Sequence, residues 1–305
     1  TGFVQRLSWA EAQPAPAGGL SAAAVAQLRA AVTQARQRGY RRLKLRIEAG
    51  VDAPAWARQL GGGPLAEWEE PENGGVRDVP RWWADDYLDA YAAFVALLAP
   101  VLAADPEWSE VTVSATTTFF AEPCIKQLGV AANRATALAA GYTPADDEAA
   151  LRRAMTDQVA LLRPYGILSS VAWNPWQSIT AQGRLGVSTA TTIGLMEDQR
   201  RIMDAYGVWA NNSLIGGRVG GRLVQLRPDY TDLYAHLTGS DYPFQFQTAT
   251  LAKITAEGGT VLDTAAWAAE NGGLSVELPL NWERDGHPDA AEAAALNDLM
   301  ARNDD

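Results

Sequence analysis

The chain has 305 residues, 48% of them hydrophobic, with 25 basic against 36 acidic side chains and a net charge of −11. That content is globular rather than disordered, and the acidic field argues against nucleic acid and anionic lipid as partners. No apolar run approaches the roughly 18 residues needed to span a bilayer, the single cysteine, Cys124, rules out an intrachain disulfide, and two histidines, His236 and His287, are too few for a typical zinc site without several carboxylates.

Along the chain, Phe3–Trp9 alternates and reads as a strand. Ser21 is placed as the N-cap of a helix carrying Val25, Leu28, Val32 and Ala35, which stops at Gly39. Leu43–Ile47 is the next strand. Residues 61–81, rich in Gly, Pro, Glu and Asn, read as a long loop insertion, and a helix over about 84–103 follows. "SEVTVSATTTFFAEPCIKQL" (109–128) opens on the strongest strand signal in the chain, and the strand is expected to end on Glu122, just before Pro123. A carboxylate there must lose water, which is costly without compensation. After a mixed stretch come a helix from Asp146 to about Leu162, a strand Ile167–Trp173 and a helix Thr192–Tyr206. Strand Val208–Asn211, helix Pro228–Leu237, strand Phe244–Gln247, helix Leu262–Glu270, strand Leu274–Leu278 and a closing helix 288–302 complete the pattern.

Seven strands alternating with helices predict an α/β fold, a (β/α)8 TIM barrel in a single domain over 1–305. The rival doubly wound sheet would carry a glycine-rich turn after its first strand; here that stretch is "WAEAQPAPAGG". "IGGRVGGRL" (215–223) lacks the spacing of a phosphate cradle and reads as a mobile loop.

In a barrel, chemistry sits at the carboxyl ends of the strands. The expected ends offer Trp9; Glu48 with Asp52 and Trp56 beyond it; Glu122; Trp173, Asn174, Trp176 and Gln177; Trp209, Asn211 and Asn212; Gln245 and Gln247; Glu277 with Asn281 and Trp282. Amides and carboxylates suit the hydroxyls of a sugar, and indoles suit its C–H faces. The eleven tryptophans fit that mixture, although part of the excess must be core. Arg6 and Arg46, on early strands, are placed to keep a carboxylate ionised or to face solvent. Cys124 reads as a buried small hydrophobe.

Three stretches resemble the retaining (β/α)8 glycoside hydrolases of the large clan that includes cellulases and β-galactosidases. "FVQRLSWAEAQPAPAGGLS" is similar to a family strand and loop written Arg-x-x-Trp-x-x-x-x-Pro with a following glycine. "GYRRLKLRIEAGVDAPAW" is similar to the next strand and its Pro-x-Trp turn, and "FFAEPCI" to the Asn-Glu-Pro stretch of the fourth strand. The resemblance implies that Glu122 is the acid/base. It departs at Ala121, where the family has asparagine, and in "PFQFQTAT", where Gln245 and Gln247 stand in place of the family's nucleophilic glutamate; the family's first strand is missing. Glu277, in "SVELPLNW", is the best substitute for the second carboxylate, ahead of Glu48, Asp52, Glu69 and Glu70.

The expectation is therefore a glycosidase with Glu122 and Glu277 as catalytic groups. Trp9, Arg46, Trp173, Asn174, Trp176, Trp209, Asn211, Gln245, Gln247 and Trp282 would bind a saccharide, with no cofactor and no metal. The alternatives are a carbohydrate-binding barrel that has lost its second carboxylate and a metal-dependent isomerase on the same scaffold. A carboxyl separation of roughly 5–5.5 Å would mean retention of configuration and about 6.5–9.5 Å inversion. The chain starts at Thr1 rather than Met, so a secreted or cell-surface protein is expected, with a cytoplasmic one left open. The sugar, its anomer and the oligomeric state are not encoded in any motif.

Overall fold

The computed structural model describes residues 2–72, 74–280, 282 and 289–303, so Asn281 and His287 lie outside the described residues. Its strands are β1 (Gly2–Ser8), β2 (Arg42–Glu48), β3 (Leu65–Glu70), β4 (Gly75–Val79), β5 (Trp108–Thr112), β6 (Leu168–Trp173), β7 (Trp176–Ile179) and β8 (Leu185–Ser188), then β9 (Gly207–Leu214), β10 (Gly216–Val219), β11 (Arg222–Gln225), β12 (Phe244–Thr248) and β13 (Val276–Glu277). The chain divides into two compact units, one of residues 1–171 and 175–207, the other of residues 172–174 and 208–305.

In the first unit, β1, β2, β5 and β6 run parallel in that order, Arg6 opposite Arg46, Arg46 opposite Thr112, and Thr112 opposite Ser170. Helices Ala22–Gln37, Asp85–Ala103 and Pro144–Leu162 connect them. Ser21 caps the first as expected, accepting from Ala24 N–H. The third starts earlier than Asp146: Thr143 is its N-cap, and Pro144 occupies the first turn, where a missing N–H costs nothing. Against the expectation that no run is long and apolar enough, Asp85–Ala103 could cross a membrane by length and composition alone. Its face of Tyr87, Leu88, Tyr91, Phe94, Val95 and Leu98 is buried in the unit's core. Residues 61–81, expected as a loop, instead carry the antiparallel hairpin β3–β4; its buried positions Leu65, Trp68 and Glu70 do not alternate, because the register shifts between Leu65 and Trp68, so period two gives no strand signal there.

In the second unit β9, β12 and β13 are parallel, with Phe244 opposite Trp209 and Gln247 opposite Glu277. Ile215, Ala249, Ile254 and Val261 form a core cluster against which Leu278 and Trp282 pack. The "IGGRVGGRL" stretch is hairpin β10–β11, not a free loop.

The seven parallel strands alternating with helices form a TIM-barrel-like α/β fold. The predicted eight-stranded closed ring is corrected: among the described residues seven parallel strands pair, and the end strands β1 and β13 each have a single ladder partner. A barrel closes only when strands are long enough to tilt and stagger against their neighbours, and β13 is two residues long.

Candidate functional site

Strand β5 stops at Thr112, ten residues short of the expected end at Glu122. Val113 adds one more bond, its N–H donating to Ser170 O at 2.8 Å, and then the ladder ends. The cause is the run Ser114-Ala-Thr-Thr-Thr118. Short hydroxyl side chains bond nearby backbone and so compete with a ladder: Ser114 Oγ donates to Thr112 O, and Thr117 Oγ1 donates to Ser114 O at 2.8 Å. β-propensity rates threonine as a strand residue, and here its hydroxyl acts the other way.

The loop that follows is nevertheless buried, with Glu122 only 6% exposed. A buried irregular segment is tolerable only if its backbone groups find partners. Here each carbonyl from Glu122 to Gln127 has one. Glu122 O accepts from Ile125 N–H, Pro123 O from Lys126 Nζ, and Cys124 O from Gln177 N–H at 3.1 Å. Ile125 O accepts from Thr118 Oγ1, Lys126 O from Trp68 Nε1 at 3.2 Å, and Gln127 O from Asn133 Nδ2 at 3.1 Å. Gln177 holds the loop a second time, its Oε1 accepting from Lys126 N–H at 3.0 Å and Leu128 N–H at 3.3 Å. Gly50 seats the loop's start. It has φ +60°, Val51 N–H donates to Thr118 O at 2.9 Å, and a Cβ on Gly50 would lie 1.9 Å from that oxygen.

Lys126 is the centre of this arrangement. It is fully buried, its ammonium 3.0 Å from Asp147 Oδ1, and Asp147 is also fully buried. The carboxylate accepts further bonds from Trp82 Nε1 and Tyr142 OH, both at 2.9 Å. The ammonium sits 4.2 Å from the centre of the Trp176 ring and 5.6 Å from that of Trp82, a cation–π distance in each case. Burial pushes the Asp147 carboxyl up, with the Lys126 ammonium and the Trp82 and Tyr142 donors pulling the other way. Removing one member of such a pair leaves an uncompensated buried charge and costs about 3–5 kcal/mol.

Several predicted platforms turn out to be core. Trp9 is fully buried beside Trp56, Tyr87, Tyr91 and Phe94 at ring distances of 5.4–5.9 Å, and its Nε1 donates to Gln13 Oε1. Trp176 is 1% exposed, beneath Lys126, and Trp68 is wholly enclosed. Trp173 and Trp209 are likewise buried, Trp209 against Tyr242 and the helix-packing His236. An indole with no exposed face cannot stack on a sugar in this conformation. Sequence does not separate the two fates, because the same flat apolar ring drives both.

Of the remaining residues, Arg46 is half-buried on β2, and Glu48 ends that strand in an ion pair with Arg6. Glu48 sits above its ordinary value because burial strips it of water, Asp52 adding to this and Arg6 and Arg46 opposing. In the second unit Asn174 Oδ1 accepts from Tyr230 OH at 2.8 Å, Asn211 Nδ2 donates to Trp173 O at 3.3 Å, and Gln245 Oε1 accepts from Ser275 Oγ at 2.8 Å. Gln247 and Glu277 are register partners, both half-buried, and Trp282 covers the second unit's core cluster. Glu122 and Glu277 belong to different units. Among the described residues no three His, Cys, Asp or Glu side chains are grouped to hold a metal.

Lys126, Asp147 and Gln127 are the residues that sequence reasoning missed. Nothing in "CIKQL" or "PADDEAA" marks a buried lysine or aspartate. The usable signal was the tryptophan surplus, of which Trp82 and Trp176 face the ammonium and Trp68 bonds the Lys126 carbonyl.

No protein-family model matches the chain, and no curated protein matches it. Among solved structures, the chain is similar to the catalytic domain of β-amylase from Paenibacillus polymyxa, with a TM-score of 0.56 and 10% identity over 99% of this chain and 91% of that one. It is also similar to endo-glycoceramidase II from Rhodococcus sp. in a cellobiose-like isofagomine complex, with a TM-score of 0.51 and 15% identity over 89% of this chain. The chain spans 64% of that enzyme's length. Both are (β/α)8 glycoside hydrolases, so the resemblance read from the sequence holds at the level of the fold.

Proposed function

We propose that the protein is a glycoside hydrolase in which Glu122 is the acid/base. One observation carries the reading: a carboxylate is held, 6% exposed, on a loop whose every carbonyl from Glu122 to Gln127 is hydrogen-bonded, following a parallel strand of a TIM-barrel-like fold. Catalytic groups need rotamers and backbone fixed by such support. The similar folds are a β-amylase domain and an endo-glycoceramidase, which supports a saccharide as substrate.

In this reading Glu122 donates its proton to the glycosidic oxygen as the C–O bond breaks. A second carboxylate either attacks the anomeric carbon or activates water. Incubation with a panel of nitrophenyl and methyl glycosides, parent beside Glu122→Gln, tests the proposal. Turnover of a methyl glycoside by the parent that the variant loses supports it, with nitrophenyl glycosides, whose leaving group needs little protonation, slowed far less. Saturable saccharide binding with no turnover by the parent on any member overturns it in favour of a binding protein. The anomer released first, read by NMR, reports retention or inversion.

A further inference from the structure

Two costs fall just beyond Glu122. The Lys126 ammonium is fully buried, 3.0 Å from the equally buried Asp147 carboxylate. Gln127 has φ +53°, a left-handed backbone that a residue other than glycine adopts only at a cost. Stability alone does not call for the buried charge. An ion pair exchanged for well-packed apolar side chains often loses nothing, and the indoles of Trp82 and Trp176 already wall the site. What an apolar side chain cannot do is donate. Lys126 Nζ donates to Pro123 O, on the residue next to Glu122. Proline has no N–H, so that carbonyl is its one backbone handle, and a charged donor holds it about twice as strongly as a neutral one. The ammonium is tied in turn to Asp147, on the helix Pro144–Leu162. By contrast, the bond from Ile125 N–H to Glu122 O closes a turn inside the loop and fixes it to nothing else.

We propose that Lys126 is a positioning residue for Glu122: the Lys126–Asp147 pair holds the loop, through the Pro123 carbonyl, in the conformation that presents the Glu122 carboxyl to a substrate. The holding is a property of the loop and needs no catalysis; that it serves an acid rests on the hydrolase reading. Without the pair, the bonds from Gln177, Trp68 and Asn133 still anchor residues 124–127. The segment beside Glu122 then loosens while the far end of the loop stays attached. A strained residue persists only where its surroundings hold it, and Gln127 is held in this way by Asn133 at its carbonyl. A general acid must lie within hydrogen-bond reach of the leaving oxygen, and a displacement of about 1 Å costs up to about 10²-fold in rate. A leaving group that needs no proton is indifferent to that displacement.

The test compares Lys126→Met/Asp147→Leu, which removes both charges together, with Val32→Ala, a truncation at a buried position of the helix Ala22–Gln37 that loosens the fold elsewhere. Amide hydrogen exchange on the full chain comes first. Measured against Val113 N–H, which bonds β6, the Ile125 amide exchanges about tenfold or more faster in the double variant than in the parent. In Val32→Ala that ratio is unchanged. Asp147→Asn keeps a hydrogen-bond partner for the ammonium but not its counter-charge; it shows the same rise to a smaller extent, and it serves alone if the double variant does not fold. A folded variant whose ratio matches that of Val32→Ala overturns the proposal. Turnover of methyl and dinitrophenyl glycosides comes second. The kcat for methanol release falls about 10- to 10²-fold with KM little changed, while dinitrophenolate leaves at close to the parent's rate. Equal slowing of both leaving groups means a structural role alone and also overturns the proposal; if Glu122→Gln still separates the two leaving groups, the hydrolase reading survives that failure. A parent that hydrolyses nothing, with the local rise in exchange present, sinks the hydrolase reading and leaves the holding of the loop by Lys126 standing.

Discussion

The surroundings of Glu122 and of Glu277 differ more than their sequences suggest. Both are glutamates in apolar runs, with Pro123 directly after the first and Pro279 two residues after the second, and both read as the end of a strand. Glu122 in fact lies beyond its strand, on a loop held by Gln177, Trp68, Thr118, Asn133 and the buried Lys126. Glu277 is on a strand, but one of two residues, half-buried, with β12 as its ladder partner. A strand end is therefore not what fixes a side chain in this molecule. Fixity comes from side chains that reach in from elsewhere to satisfy an irregular backbone, and Lys126 with its Asp147 partner is the costliest of them.

That contrast breaks most visibly at Asp147. Asp147→Ala leaves the Lys126 ammonium buried beneath two indoles with no counter-charge, and should lower stability by about 3–5 kcal/mol. The double variant Lys126→Met/Asp147→Leu should lose less, because it removes both charges. Urea unfolding of the three proteins checks this, and a double variant worse than Asp147→Ala would contradict it. Trp82→Phe keeps an aromatic ring but removes the N–H to Asp147, for an expected loss of about 1–3 kcal/mol. Glu277→Gln, by contrast, should change stability by less than about 1 kcal/mol, as is ordinary for a half-buried position.

A fourth prediction concerns pH. Glu48 is held above its ordinary value in the folded state, so its contribution to stability is fully present below the unfolded value of about 4.3 and is lost as pH rises through the folded one. Glu48→Gln should therefore match the parent near pH 4 and gain on it as pH climbs, with Arg6 left as a solvated cation. Urea midpoints collected across that range give the answer, and a variant that instead falls behind the parent at neutral pH would reverse the assigned sign. The smallest effect is expected on the surface. Arg153 meets Asp85 and Asp89 where both acids are largely exposed, and Arg153→Ala should cost no more than about 1 kcal/mol.

Much of the scaffold was legible. Alternation at Leu43, Leu45 and Ile47 gave β2, apolar spacing from Tyr87 to Leu98 gave the long helix, and Phe244–Gln247 nearly matched β12. Local patterns carry those elements, so a local reading finds them. The hairpin β3–β4 was hidden because its glycines and acidic residues read as a loop, and the loop after β5 because threonine favours strands on average. The site was less legible still. Nothing in "CIKQL" says that its lysine is buried, since that depends on Trp82, Asp147 and Trp176 arriving from other parts of the chain.

The claim that matters most is that Glu122 supplies the proton to the leaving oxygen. It is tested by comparing glycosides that differ only in their leaving group, parent against Glu122→Gln, in a single turnover. An alkoxide leaving group needs protonation, so its release should slow by about 10²–10⁴-fold in the variant, whereas dinitrophenolate needs none and should leave at close to the parent's rate. Equal slowing for both leaving groups, or none for either, would contradict the assignment.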